Sequence, residues 1–72
     1  MATGYKFYLK TPLIPNRASY VVAKDEQGKP VGEYNAYYRP RNDTVSLYPR
    51  KGAYYNYLPK SDISIFLLIK DY

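Results

Sequence analysis

Tyrosine alternates with arginine and lysine over residues 34–60, the part of the chain whose residue types best suggest a chemical role. Two segments carry this pattern, YNAYYRPR (34–41) and LYPRKGAYYNYLPK (47–60), and Asp43 is the one acidic residue within 34–60. A tyrosine ring offers a face on which any nucleobase can stack, and a neighbouring cation neutralises the phosphates that join the bases. The pattern therefore predicts a surface that binds single-stranded nucleic acid without sequence preference.

The residues expected to form this surface are aromatic or cationic and lie on predicted strands or in the turns beside them. Neighbouring residues of a strand point to opposite faces, so one tyrosine of each adjacent pair must point away from the core. The same surface would serve equally well against an acidic protein. The predicted binding residues are Tyr8, Tyr37, Tyr38, Arg39, Arg41, Tyr48, Arg50, Lys51, Tyr54 and Tyr55.

Catalysis and metal binding are disfavoured by the residue types that the chain lacks. It contains no His and no Cys, so the usual general base, the usual nucleophile and the commonest transition-metal ligands are missing. The six acidic residues show no spacing typical of a carboxylate pair, and no phosphate-binding loop or calcium loop is present. We therefore predict a protein that is not an enzyme and uses no cofactor and no metal.

The net charge of +5 and the pI near 9.5 favour polyanions or acidic protein surfaces as partners. Besides nucleic-acid binding, the composition fits a small protein-binding inhibitor or interaction module of the viral or plasmid type, because tyrosine and arginine dominate interface hot spots. A structural subunit that stacks through edge strands is a third possibility. The start of the chain lacks a secretory signal pattern, and the longest apolar run, residues 63–69, is too short for a membrane span. We expect a cytoplasmic protein without membrane contact.

Alternation with period two dominates the sequence, and its length of 72 residues allows one domain, 1–72. Turns rich in Pro, Gly, Asn and Asp separate the alternating segments, and Gly28 is expected to adopt a positive φ in the clearest hairpin. The expected fold is all-β, a small five- or six-stranded antiparallel barrel or curled sheet with little or no helix. The predicted strands are 5–10, 19–24, 31–39, 44–48, 53–58 and 63–70.

The small number of aliphatic residues leads to two further expectations. About half of the eleven tyrosines should be needed to complete the core. The last predicted strand is apolar on both faces, and an exposed strand of this kind tends to aggregate, so we expect it to form the interface of a homodimer. The predicted interface residues are Ile63, Ile65, Phe66, Leu67, Leu68 and Ile69.

Overall fold

The computed structural model describes residues 4–50 and 61–72, which form six strands and a single turn of 3₁₀-helix. Most strands coincide with the segments of period-two alternation. The predicted strand 53–58 lies outside the described residues. In chain order the elements are β1 (Lys6–Leu9), β2 (Ala18–Lys24), β3 (Pro30–Arg39), β4 (Thr44–Pro49), β5 (Ser61–Ser64), the 3₁₀ turn (Ile65–Leu67) and β6 (Leu68–Lys70).

The strands form one curled sheet in the order β5-β4-β3-β2-β1-β6, which confirms the all-β prediction. The first five strands pair with their chain neighbours in antiparallel fashion. β6 instead runs parallel to β1, with Phe7 opposite Leu68 and Leu9 opposite Lys70. The sheet is therefore mixed, and the prediction of a purely antiparallel arrangement was wrong at this edge.

The short connection between β5 and β6 requires the sheet to curl. In a flat six-stranded sheet the two edge strands would lie five strand spacings apart, about 24 Å. Ser64 ends β5 and Leu68 begins β6, and four Cα–Cα steps can span no more than about 15 Å. The 3₁₀ turn is attached to the rest of the sheet by the backbone of Ile65, whose N–H donates to the carbonyl of Asp43 over 2.9 Å. The result is a half-barrel.

The prediction of one continuous last strand over 63–70 was wrong. The Ser64 hydroxyl accepts a hydrogen bond from the Phe66 N–H at 3.3 Å and caps the 3₁₀ turn, which divides the segment between opposite edges of the sheet. Ile63 and Leu68 consequently pack against the core of their own chain. Two of the six residues predicted for a dimer interface therefore pack against the core within one subunit.

The core lies on one face of the sheet and is built from small and medium-sized side chains. Tyr34 packs edge-on against Phe7, with ring centroids 6.0 Å apart, and it is the one tyrosine of the described residues that is fully buried there. Tyrosine therefore contributes less to the described core than its abundance suggested. The buried apolar residues are Leu9, Val21, Ala23, Tyr34, Ala36, Val45 and Leu47.

The β2–β3 hairpin has the turn that its sequence predicts. Asp25 accepts hydrogen bonds through Oδ1 from the backbone N–H groups of Gln27 and Lys29, both at 2.9 Å, and Gly28 has a φ of 81°. A side chain at that φ would be strained, so glycine suits the position. No helix within 4–50 or 61–72 has the length and apolar character needed to cross a membrane.

Candidate functional site

Four tyrosines and several cations project from the face of the sheet that is opposite the core, here called the outer face. Strand alternation places them there: on β2 the buried Val21 and Ala23 alternate with Tyr20 and Lys24, and the other strands follow the same rule. The outer-face rings and cations include Tyr8, Tyr20, Tyr37, Tyr48, Lys6, Lys24, Arg39 and Arg50.

The strand register arranges the outer-face rings as a band across β1–β4. Tyr20, Asn35 and Tyr48 are direct neighbours on three consecutive strands, so the two tyrosines lie about two strand spacings apart, roughly 10 Å. Tyr8 faces Val22 and lies diagonal to Tyr20, and Tyr37 lies diagonal to Tyr48. From β1 to β4 the band is about 14 Å wide, enough for about four nucleotides stacked at 3.4 Å.

Tyr20, Glu33 and Arg50 form a connected group across β2–β4 within the outer face. The Tyr20 hydroxyl donates to Oε1 of Glu33 at 2.7 Å, and the Arg50 guanidinium lies 5.0 Å from the centroid of the Tyr20 ring. Nη1 of Arg50 is 3.9 Å from the same carboxylate oxygen, and the Arg50 N–H donates to the Glu33 carbonyl at 2.9 Å. The hydrogen bond to Glu33, with burial and the carboxylate charge adding to it, raises the pKa of Tyr20. A carboxylate thus partly neutralises one arginine of the outer face.

Lys24 and Tyr8 make a second cation–aromatic contact, with Nζ 4.6 Å from the ring centroid. The two residues belong to adjacent antiparallel strands, where Lys6 faces Lys24 and Tyr8 faces Val22. Both side chains are partly exposed. This contact holds a positive charge directly beside an outer-face ring.

Tyr37 and Tyr48 pack edge to face on the β3–β4 side of the band, with centroids 5.6 Å apart and ring planes at 76°. The two residues are 41% and 36% exposed. An open cleft of about 530 Å³ lies beside them, within the size range of pockets that hold small ligands. Its lining residues are Asn16, Tyr37, Tyr38, Arg39 and Tyr48.

Two cleft residues are positioned by specific local contacts. Arg39 donates from Nε to the hydroxyl of the buried Ser46 at 2.6 Å, which fixes the plane of its guanidinium. Asn16 has a φ of 67° and follows Pro15 in a turn closed by the Arg17 N–H donating to the Ile14 carbonyl at 3.2 Å. Proline followed by a residue of positive φ is the pattern of a type II turn. Within the described part of the chain, no carboxylate lies at ion-pair distance from Arg39.

The predicted binding residues are distributed over several locations. Tyr8, Tyr37, Arg39, Tyr48 and Arg50 share the outer face. Of the other predicted residues that the structure describes, Tyr38 lines the cleft from the core side of β3 and Arg41 lies in the β3–β4 turn.

Tyr38 lies on the core side, where its ring packs against the core and its hydroxyl donates to Asp43 at 3.2 Å. Burial, followed by this hydrogen bond, raises its pKa. Arg41 is exposed in the β3–β4 turn. The predicted Lys51, Tyr54 and Tyr55 lie outside the described residues.

Sequence reasoning did not identify Tyr20, Lys24 and Asn16 as site residues. Alternation within 19–24 was sufficient to place Tyr20 and Lys24 opposite Val21, but tyrosine and arginine are much denser after residue 34. For Asn16 the available signal was the Pro-Asn dipeptide, which predicts a turn but not the strand that the turn lies beside.

The remaining predicted interface residues form an exposed apolar surface, here called the apolar corner and defined by Phe66, Leu67 and Ile69. Phe66 is 86% exposed, Leu67 59% and Ile69 40%. Ile65 is partly buried. The apolar corner belongs to the 3₁₀ turn and β6, and it adjoins the β1 side of the outer face, where Ile69 is the register neighbour of Tyr8.

Within 4–50 and 61–72 no three His, Cys, Asp or Glu residues cluster in a way that could hold a metal ion. The arrangement of the outer face offers ring faces, fixed cations and one open cleft. Comparison of the chain with family models, curated proteins and solved structures gave no match.

Proposed function

We propose that this protein binds single-stranded nucleic acid on its outer face, without strong sequence preference and without catalysis. The observation that carries the proposal is the outer-face band of Tyr8, Tyr20, Tyr37 and Tyr48, with Lys24, Arg39 and Arg50 beside or between the rings. Such a band has the two elements that sequence-independent binding needs, stacking surfaces for bases and charges for the phosphates.

The spacing of the arginines supports a ligand that crosses the band. Arg39 and Arg50 lie at opposite ends of the β3–β4 pair, because Arg39 faces Thr44 and Arg50 bonds to Glu33. Glu33 and Arg39 are six positions apart on β3, about 20 Å. The rings of Tyr37 and Tyr48 lie between these two charges. A single-stranded nucleic acid whose bases stack on these rings would therefore meet a cation on either side.

The size of the expected effects follows from general magnitudes. Stacking on an aromatic side chain contributes about 1–3 kcal/mol per base. Three phosphates neutralised by Lys24, Arg39 and Arg50 would give a slope of about −2 for the logarithm of the binding constant against the logarithm of salt concentration. The activity would belong to the cytoplasm, the compartment expected from the sequence.

Fluorescence anisotropy with a labelled single strand of mixed sequence, at low salt and over a salt series, tests the proposal. Arg50→Ala should weaken binding to unrelated sequences by similar factors and make the salt slope less steep by about 0.7. Lys29→Ala, which removes one positive charge from the exposed β2–β3 turn, is the control for net charge. No binding at low salt, or equal effects of the two variants, would contradict the proposal.

The second candidate is a protein-binding inhibitor or interaction module that uses the same tyrosines and arginines against an acidic partner. The apolar corner favours this candidate, because exposed Phe66 and Leu67 suit a protein interface better than a charged strand. A stoichiometric protein partner that remains bound after nuclease treatment, together with no binding to oligonucleotides, would support it instead.

We also infer that any homodimer uses the apolar corner, since Ile63 and Leu68 are occupied by the core of their own chain. Light scattering coupled to size exclusion measures the mass directly. A monomeric mass at high protein concentration would reject the homodimer without affecting the nucleic-acid proposal.

A further inference from the structure

We propose that the cleft beside Tyr37 and Tyr48 is a site for one nucleotide unit, whose phosphate binds Arg39, whose base stacks on Tyr37 and whose base edge is read by Asn16. The inference rests on the proposed function and adds to it that one position of the bound strand is recognised by its base.

The charge of the cleft points to an anion. Arg39 is the cation that lines it, and among the described residues its guanidinium has one hydrogen bond, from Nε to Ser46. That bond uses Nε, so the two terminal amino groups can bind a ligand, and it fixes the plane in which they lie. An arginine prepared in this way suits a phosphate, which accepts two parallel hydrogen bonds from the guanidinium. Arg50 differs, because Glu33 lies beside it.

The ring of Tyr37 supplies the stacking surface. It is 41% exposed, and its nearly perpendicular contact with Tyr48 leaves at least one of its faces uncovered by that neighbour. The same contact restricts the rotation of the Tyr37 ring, so stacking of a base on it costs little side-chain entropy. Tyr37 and Arg39 project from the same strand two residues apart, about 7 Å, which allows base and phosphate of one nucleotide to reach them together.

Asn16 supplies the group that can distinguish bases. Asn16 lines the cleft and is exposed, and its backbone is held by the type II turn that contains Pro15. A carboxamide presents one acceptor and two donors, which match the mixed donor and acceptor pattern of a base edge. Exposed bases of single strands are commonly read in this way.

Asn16→Gly is a clean test of base reading. Glycine adopts positive φ without strain, so the variant removes the carboxamide and keeps the turn. The probes are labelled oligo-dT, oligo-dA and oligo-dC of equal length, measured by fluorescence anisotropy at one salt concentration. Wild-type protein should prefer one of the three by about fivefold or more, and Asn16→Gly should abolish that preference while retaining binding. Arg39→Ala should weaken binding to all three alike, and more than Lys29→Ala does.

The possible outcomes separate this inference from the function on which it rests. Binding of all three probes with equal affinity, or a preference that survives in Asn16→Gly, would overturn base reading in the cleft and leave the nucleic-acid proposal standing. If none of the three oligonucleotides binds at low salt, both proposals fail. Chemical-shift changes on adding dTMP, dAMP and dCMP give an independent readout: they should include the amide signals of Asn16, Tyr37 and Arg39, and changes confined to the β2–β3 turn would refute the location.

Discussion

Glu33→Gln should increase the affinity of the protein for single-stranded nucleic acid. In the folded chain the Glu33 carboxylate lies 3.9 Å from Nη1 of Arg50 and accepts the hydrogen bond of Tyr20 at 2.7 Å. A phosphate that approaches Arg50 must compete with this carboxylate. Glutamine has the same shape and can still accept from the Tyr20 hydroxyl, so the substitution removes the negative charge and retains the local geometry.

Two estimates of the gain agree. A partly exposed ion pair contributes about 0–1 kcal/mol, so relieving the competition raises the binding constant by at most about fivefold. One additional phosphate contact on single-stranded nucleic acid raises the binding constant by a factor of about five near 0.1 M salt and about three near 0.2 M salt. We therefore expect an increase of up to about fivefold that diminishes as salt is added.

The measurement is a salt series of fluorescence anisotropy titrations on wild type, Glu33→Gln and the control Glu26→Gln. The control removes the same charge from the exposed β2–β3 turn. Because the hydrogen bond and charge of Glu33 raise the pKa of Tyr20, that pKa should fall towards 10.0 in Glu33→Gln, which verifies the intended local change. An unchanged or weaker affinity in Glu33→Gln, or an equal gain in Glu26→Gln, would refute the idea that Glu33 competes with phosphate.

Three further predictions concern stability and association. Leu47→Ala should cost about 2–5 kcal/mol in urea unfolding, because Leu47 is 1% exposed and its truncation leaves a cavity; a loss below about 1 kcal/mol would contradict the assigned core. Phe66→Ser should change the free energy of unfolding by no more than about 0.5 kcal/mol, since Phe66 is 86% exposed. If the protein self-associates, light scattering should show a lower mass for this variant, and an unchanged mass would exclude Phe66 from the interface. The Lys10 hydrogen bond and charge hold the pKa of Asp71 below 3.8 in the folded chain. The ion pair therefore stabilises the fold at pH values above the pKa of Asp71 in the unfolded chain, and this stabilisation is lost as the pH falls through the pKa of the folded chain. NMR titration should therefore show a higher Asp71 pKa in Lys10→Gln, and no change would argue against the 2.6 Å contact.

Alternation predicts the strands where one face is buried and the other is solvated. The segments 19–24 and 31–39 form the hairpin expected of them, and Gly28 has the expected positive φ. The last segment does not follow this rule, because residues 63–69 are apolar on both faces and the pattern cannot locate a break within them. The cap at Ser64 and the pairing of Leu68 with β1 depend on residues that are distant in sequence.

The site was predictable only in part for the same reason. Period two was enough to indicate that some tyrosines face outward, and Tyr8, Tyr37 and Tyr48 do so. Local pattern does not report which strands lie side by side. The contact of Arg50 with Tyr20 and the competition from Glu33 therefore emerge only when β2, β3 and β4 are placed in register.

The sequence by itself determined an all-β chain whose rings and cations alternate with core residues, because side-chain alternation along a strand is a local property of the backbone. Tertiary structure decided which of these residues meet. The curl of the sheet, the parallel pairing of β6 with β1 and the turn that brings Asn16 beside Tyr37 and Arg39 all join residues far apart in the chain. Contacts of that kind depend on strand order and register, which are fixed by packing of the whole sheet.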